Sequence, residues 1–340
     1  MPNTITQKIV SGLKEYYQRV SLFRQNARLY LVSVLITGIS MGVYRLLFNF
    51  YVLSLNYDEA LLGRLITTNQ LTALVLALPM GFLVDRWGRK NALLTRSILL
   101  SVAVAVMALW PSQAIFYAMN VLFGIVQSIS SVAMAPFLME NSGEEERTYL
   151  FSLSSGLQMG SVFIGNWLGG YLPTWFGNLQ NVAPTASIAY GNALLSIAGL
   201  TFLSFIPLML LKPIQPQTEE EAENGRFAPI NFALNHPKLL GKLLFPSLLI
   251  SIGAGFFMPF MNVFFRVVHG QSDQVIGTIF AWGSLAMGAG LILAPPIADR
   301  IGKIQLVIIS QGLSIPFMGL LGFAPIFGIS AGAYYVRLAL

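Results

Sequence analysis

Ten stretches of about twenty apolar residues, each ended by a short polar or Pro/Gly-rich turn, constrain this chain more than any other feature. A helix of roughly twenty apolar residues crosses the hydrocarbon layer of a bilayer. Inside lipid every backbone polar group has to be paired within the fold, which leaves helices or closed barrels. Unbroken runs of this length read as helices. They are expected at Leu29 to Leu53, Ala60 to Val84, Ala92 to Trp110, Ala114 to Ala135, Thr148 to Leu172 and Ser187 to Leu211. Four more follow at Leu243 to Phe265, Gln274 to Ala298, Ile304 to Phe323 and Ile326 to Leu340. With 55% hydrophobic and only 10% charged residues, a soluble globular fold is excluded. The expected class is an all-α membrane protein with the lipid bilayer as its solvent.

The same composition removes several chemistries. No cysteine is present, so a disulfide scaffold, a thiolate metal site and a cysteine nucleophile are ruled out. The two histidines, His236 and His269, lie in polar connections, so no metal centre or cofactor is expected. The spans contain no H-E-x-x-H and no Ser-Lys pair, so an enzyme is not expected.

The net charge of +6 has a topological cause. With the N-terminus inside, Arg24, Arg28, Arg86, Arg89, Lys90, Arg96, Arg147, Lys212, Lys242, Arg300 and Lys303 fall on the inner side, while Arg64 and Arg266 fall outside. The basic balance is therefore no nucleic-acid footprint. In the first 28 residues, Ile9, Leu13, Tyr16, Tyr17 and Val20 share one helical face, as in an interfacial helix, and a frayed tail fits equally well. The acidic stretch Glu219, Glu220, Glu221 and Glu223 lies in a solvated linker. The expected organisation is an N-terminal segment at 1–28, a six-helix bundle at 29–211, a linker at 212–242 and a second bundle at 243–340.

The two sides of the linker repeat one another. Gly42 and Asn49 match Gly255 and Asn262 at an offset of 213 residues. Asp58 to Gly63 matches Ser272 to Gly277, and Asp85 to Arg89 matches Asp299 to Lys303, both at 214. Tyr117 to Asn120 and Tyr334 to Arg337 align at 217. Four matches in one order imply duplicated halves, an architecture that places a substrate site between them near the midplane.

The turn Gly81-Phe82-Leu83-Val84-Asp85-Arg86-Trp87-Gly88-Arg89-Lys90 resembles the G-x-x-x-D-R-x-G-R-K signature of the major facilitator superfamily, with every signature position filled. A degenerate copy, containing Asp299, Arg300 and Gly302, recurs at Pro295 to Lys303. In the fifth span Gly156, Gly165, Asn166, Gly169 and Gly170 resemble the superfamily's G-x8-G-P-x-x-G-G antiporter motif, with Asn166 where the motif has proline. The glycines equally allow close helix packing. In the fourth span Asn120 to Gly124 replaces the arginine of the family's R-x-x-x-G element by asparagine. Physically, Asp85 stands where a carboxylate caps a following helix, Gly88 permits a tight reversal, and Arg86, Arg89 and Lys90 face lipid phosphates or carboxylates.

The resemblance implies that spans 1, 4, 7 and 10 line a central cavity. Arg45 and Asn49 share a stripe with Gly38 and Gly42 in the first. Asn120 and Gln127 lie on one face of the fourth, Asn262 in the seventh, and Tyr334 and Arg337 in the tenth. Each amide serves an inter-helix hydrogen bond as readily as a solute. All 14 acidic residues fall in termini, loops or helix ends, which leaves a coupling proton or counter-ion as an open partner. The expected function is a secondary active transporter working by alternating access, an exporter or antiporter of small organic molecules in the bacterial plasma membrane. The alternative is an importer or exchanger of an anionic metabolite held by Arg45. A membrane enzyme or a non-transporting scaffold stands further off. Matching four spans after the linker to the first four also implies two more, so a twelve-helix transporter lacking helices 11 and 12 is expected.

Overall fold

The computed structural model describes residues 20–212 and 235–340, with the side chains of Leu243, Pro295, Pro296 and Asp299 outside that description. The expected interfacial helix at Ile9 to Val20 lies almost wholly, and the acidic linker run wholly, outside the described residues, as does the Asp299 side chain.

Ten helices occupy the ten expected spans among the described residues. They are α1 (Gln25–Ser54), α2 (Glu59–Trp87), α3 (Arg89–Leu109), α4 (Gln113–Glu140), α5 (Glu144–Gln180), α6 (Ser187–Leu203), α7 (Pro237–Phe257), α8 (Asp273–Ile301), α9 (Lys303–Phe323) and α10 (Phe327–Ala339). A short piece, Phe205–Met209, continues α6, and a 3₁₀ turn at Met258–Phe260 leads from α7 into Met261–Val267. Most helices outrun their apolar cores by several residues, because polar turns continue the backbone ladder into the interface. The largest extension is α5, whose acidic first turn of Glu144, Glu145 and Glu146 suits the positive end of the helix dipole.

Eight helical stretches are long and apolar enough to cross a membrane. The other two are α5, diluted by glycine and serine, and α10, with 13 residues. The chain is an integral membrane protein.

The repeat reappears in the backbone. Helices α2 and α8 both have 29 residues, α3 and α9 both have 21, and their starts are 214 residues apart. Asp58 and Ser272 sit at the N-caps of α2 and α8, and the Asp58 carboxylate accepts from the Leu61 amide at 2.8 Å. Gly88 and Gly302 then close the turns at φ 82° and 96°, a region that side chains other than glycine's strongly disfavour.

The chain divides into two compact units. One contains α2, α3, α4 and α7. Within it α2 and α4 cross so closely that a Cβ on Gly124 would stand 2.6 Å from the Asn69 carbonyl oxygen. Ser128 Oγ donates to the Ala73 carbonyl at 2.7 Å along the same seam. The other contains α1 from Leu31, α5 from Phe151, α6, α8, α9 and α10. There α5 has small residues on two faces. Gly165 and Gly169 meet Ile39, Gly42, Val43 and Leu46 of α1, and Gly170 meets Asp273 and Gly277 of α8.

Candidate functional site

In the first unit the signature turn becomes a network. Arg89 is the first residue of α3, where a positive charge opposes the helix dipole. Two carboxylates compensate for it: Asp85 at 2.5 Å and Glu140, from the end of α4, at 3.3 Å. The Arg89 side chain is only 18% exposed, so both pairs are partly screened from water. Lys90 follows with the complementary arrangement. Its ammonium donates to the carbonyls of Met209 (2.8 Å) and Leu211 (2.5 Å), the first at the end of Phe205–Met209 and the second just past it, where the negative end of the helix dipole lies. Asn26 adds a two-way clamp, donating to the Lys212 carbonyl at 3.0 Å and accepting from its amide at 2.9 Å. Arg24 reaches the Glu140 carbonyl at 3.4 Å.

This arrangement corrects one expectation. Asp85 caps nothing: Gly88 holds the N-cap position of α3 without a side-chain cap bond, and Asp85 spends its charge on Arg89. Arg86 is exposed, and Gly81 has no neighbour within 4 Å of a would-be Cβ. In the second copy Arg300 is exposed while Gly302 keeps the turn geometry. Nearby, the Gly143 amide donates to the Glu146 carboxylate at 2.6 Å and holds its pKa below the usual carboxylate range.

The candidate solute-facing residues distribute unevenly. Arg45 is exposed on α1 between buried neighbours, whereas Asn49 is buried. On α4 the expected shared face divides: Asn120 is buried and donates to the Phe116 carbonyl of its own helix at 2.8 Å, while Gln127 is exposed and donates to Gln70 Oε1 at 3.2 Å. Asn262 is buried, and its side-chain oxygen accepts from the Val263 amide at 2.9 Å. Tyr334 is buried too, stacked on Phe280 and edge-on to Phe265. Arg337 is half-buried. Of the helix-5 motif, Gly165, Gly169 and Gly170 make close helix contacts, while Gly156 has open space around it. Asn166 is buried and donates to Ser284 Oγ of α8 at 3.2 Å, so α5 carries a cross-helix hydrogen bond where the motif has proline.

Two shallow grooves are not apparent in the sequence. One, of about 470 Å³, is lined by Gly63, Arg64, Thr67, Thr68 and Tyr117 in the first unit. The other, of about 270 Å³, is lined by Tyr171, Gln274, Thr278, Phe327 and Tyr335 in the second. Sequence spacing does not single out Asp273 either. It is the first residue of α8, yet it is only 8% exposed and is paired with Arg266. Its position at a helix end hides this, because the residues that bury it come from distant parts of the chain.

Comparison with known proteins agrees with this architecture. A crystal structure of the nucleoside transporter NupG (TM-score 0.71, 13% identity, 93% of this chain and 79% of that one) shares the fold. So does the xylose transporter XylE from E. coli (TM-score 0.65, 14% identity, 93% and 82%). Among curated proteins the chain is 27% identical over 245 residues to a multidrug resistance protein MdtG of Dickeya zeae (strain Ech586), covering 69% of this chain and 55% of that protein. It is 23% identical over 258 residues to a multi-drug resistance efflux pump PmrA of Streptococcus pneumoniae serotype 4 (strain ATCC BAA-334 / TIGR4), covering 74% and 61%. The chain thus spans little more than half the length of the curated relatives it matches. The profile described as Major Facilitator Superfamily matches residues 30–340. With the signature turn, the duplicated helices and a profile match over nearly its whole length, this chain belongs to the Major Facilitator Superfamily.

Proposed function

We propose that the protein is a secondary active transporter that exports small organic molecules from a bacterial cell by alternating access, exchanging them for a proton or another counter-ion. The observation that carries this reading is the duplicated turn, in which helices of matching length flank Gly88 and Gly302 and the first copy is held by Arg89 between two carboxylates. The moving halves are residues 29–211 and 243–340, joined by the 212–242 linker. The lysine and arginine distribution supports a cytoplasmic N-terminus. Export draws its support from the two multidrug relatives. On this reading the exposed Gln127 and the half-buried Arg337 are the candidates for meeting solute, while Asn49, Asn262 and Tyr334 are buried.

A second reading is exchange of an anionic solute. It is favoured by Arg45, an exposed residue of α1 with buried neighbours on both sides of it. Flux of ethidium and of carboxyfluorescein into energised vesicles, with and without Arg45→Ala, separates the two. Export of aromatic cations predicts ethidium flux that survives the substitution. Loss of carboxyfluorescein flux in Arg45→Ala, with no ethidium flux in either protein, selects the anion reading. Absence of both fluxes from correctly folded protein contradicts transport.

A further inference from the structure

The second unit contains a charged cluster that the transport reading leaves unused. Arg266 lies in the last turn of Met261–Val267 and Asp273 opens α8, so each stands at the end of a helix whose dipole favours its charge. Their ion pair is poorly exposed, at 26% and 8% of side-chain surface. Two residues from elsewhere complete the cluster. Tyr190 of α6, fully buried, donates its hydroxyl hydrogen to Asp273 Oδ2 at 2.7 Å and accepts from Arg266 Nη2 at 2.9 Å. Phe50 of α1, also fully buried, lies under the guanidinium, 3.4 Å from its ring centroid.

The division of labour follows the chain. Arg266 and Asp273 belong to one hairpin, closed by the Gln271 amide donating to the Phe265 carbonyl at 3.1 Å. Tyr190 and Phe50 come from helices that precede the linker. Separating the two charges in a low-dielectric setting is costly, whereas the pair kept together moves as a neutral body. Parting it from a phenol and a ring breaks two hydrogen bonds and two cation–π contacts, to Phe50 and to the Tyr190 ring, and exposes the charges to water.

We propose that Phe50 and Tyr190 form one jaw, and the intact Arg266–Asp273 pair the other, of a clasp that closes this end of α1, α6 and α8 and parts when that end opens. The proposal rests on the alternating-access reading, and its test reads opening rather than flux. The chain has no cysteine, so single reporters can be introduced cleanly. Ile276 lies one turn below Asp273 and is fully buried. The reporter variant Ile276→Cys in nanodiscs is exposed to a hydrophilic maleimide, alone and combined with Tyr190→Phe or Phe50→Leu, which both spare the charges.

Labelling accelerates about tenfold with Tyr190→Phe, from the lost hydrogen bonds to charged partners. It accelerates about threefold with Phe50→Leu, from the lost cation–π contact. Leu93→Cys, buried in α3, serves as the second reporter and keeps its rate in both backgrounds. Unchanged labelling of the Ile276→Cys reporter in both backgrounds overturns the clasp, and so does an equal rise at both reporters, which marks general loosening. If vesicle flux persists without any labelling shift, the clasp fails and transport stands. If the shift is confined to the Ile276→Cys reporter and no solute moves, the clasp stands and the transport reading fails.

Discussion

Gly88 and Gly302 hold the same backbone conformation between helices of matching length, yet their surroundings diverge. Helix α3, after the first glycine, has eight buried residues, from Ala92 to Met107, whereas α9, after the second, has only Leu321. Arg89 stands between Asp85 and Glu140, while its counterpart Lys303 is exposed. Lys90 binds the carbonyls of Met209 and Leu211, and its counterpart is the neutral Ile304. The comparison separates two contributions. A positive-φ glycine and an N-cap 30 residues earlier are enough to repeat the backbone. Anchoring the turn takes specific charges on neighbouring helix ends, and only the first copy has them among the described residues.

Substitutions at equivalent positions can break this asymmetry. The largest effect is expected from Arg89→Ala, which leaves Asp85 and the partly buried Glu140 without their cation. It costs about 3 kcal/mol of stability and more than about tenfold in flux. Lys303→Ala changes either by less than about twofold, since an exposed charge is worth little. Thermal midpoints in detergent and vesicle flux measure both. Gly88→Ala and Gly302→Ala come next, each costing about 2 kcal/mol because the backbone region they occupy admits essentially only glycine. Equal losses at the two sites support a shared backbone device, and a neutral Gly302→Ala breaks the equivalence.

Lys90→Gln is expected to cost about 1 kcal/mol, from the lost helix-end cation and its two carbonyl contacts. Ile304→Lys is expected to restore nothing comparable in the second copy. The smallest effect is a pH dependence. The Gly143 amide depresses the Glu146 pKa, so that contribution is fully present above the unfolded carboxylate value of about 4.3 and disappears as pH falls through the lower folded value. Glu146→Gln should flatten the acid limb of the thermal midpoint against pH slightly, because the group is only half-buried and solvent screens it.

Much of this organisation is written locally. Apolar runs, capping residues and turn glycines act within a few positions, so the ten spans and the 214-residue repeat can be read directly from the chain. The partners cannot. Glu140 is 51 residues from Arg89, and Tyr190 is 83 from Asp273. Nothing in the spacing around Asp273 distinguishes it from an exposed cap such as Asp58, and burial by Tyr190 is a tertiary event. The α4 face shows the same limit. Asn120 and Gln127 share a helical side by periodicity, but packing buries one and leaves the other exposed.

The most direct test of the account measures gradient-driven ethidium flux by the full chain in proteoliposomes for three proteins: the parent, Arg89→Ala and Lys303→Ala. The account predicts robust flux in the parent and in Lys303→Ala, with loss of more than about tenfold in Arg89→Ala. Flux that is the same in all three proteins, or lost equally from both variants, contradicts it.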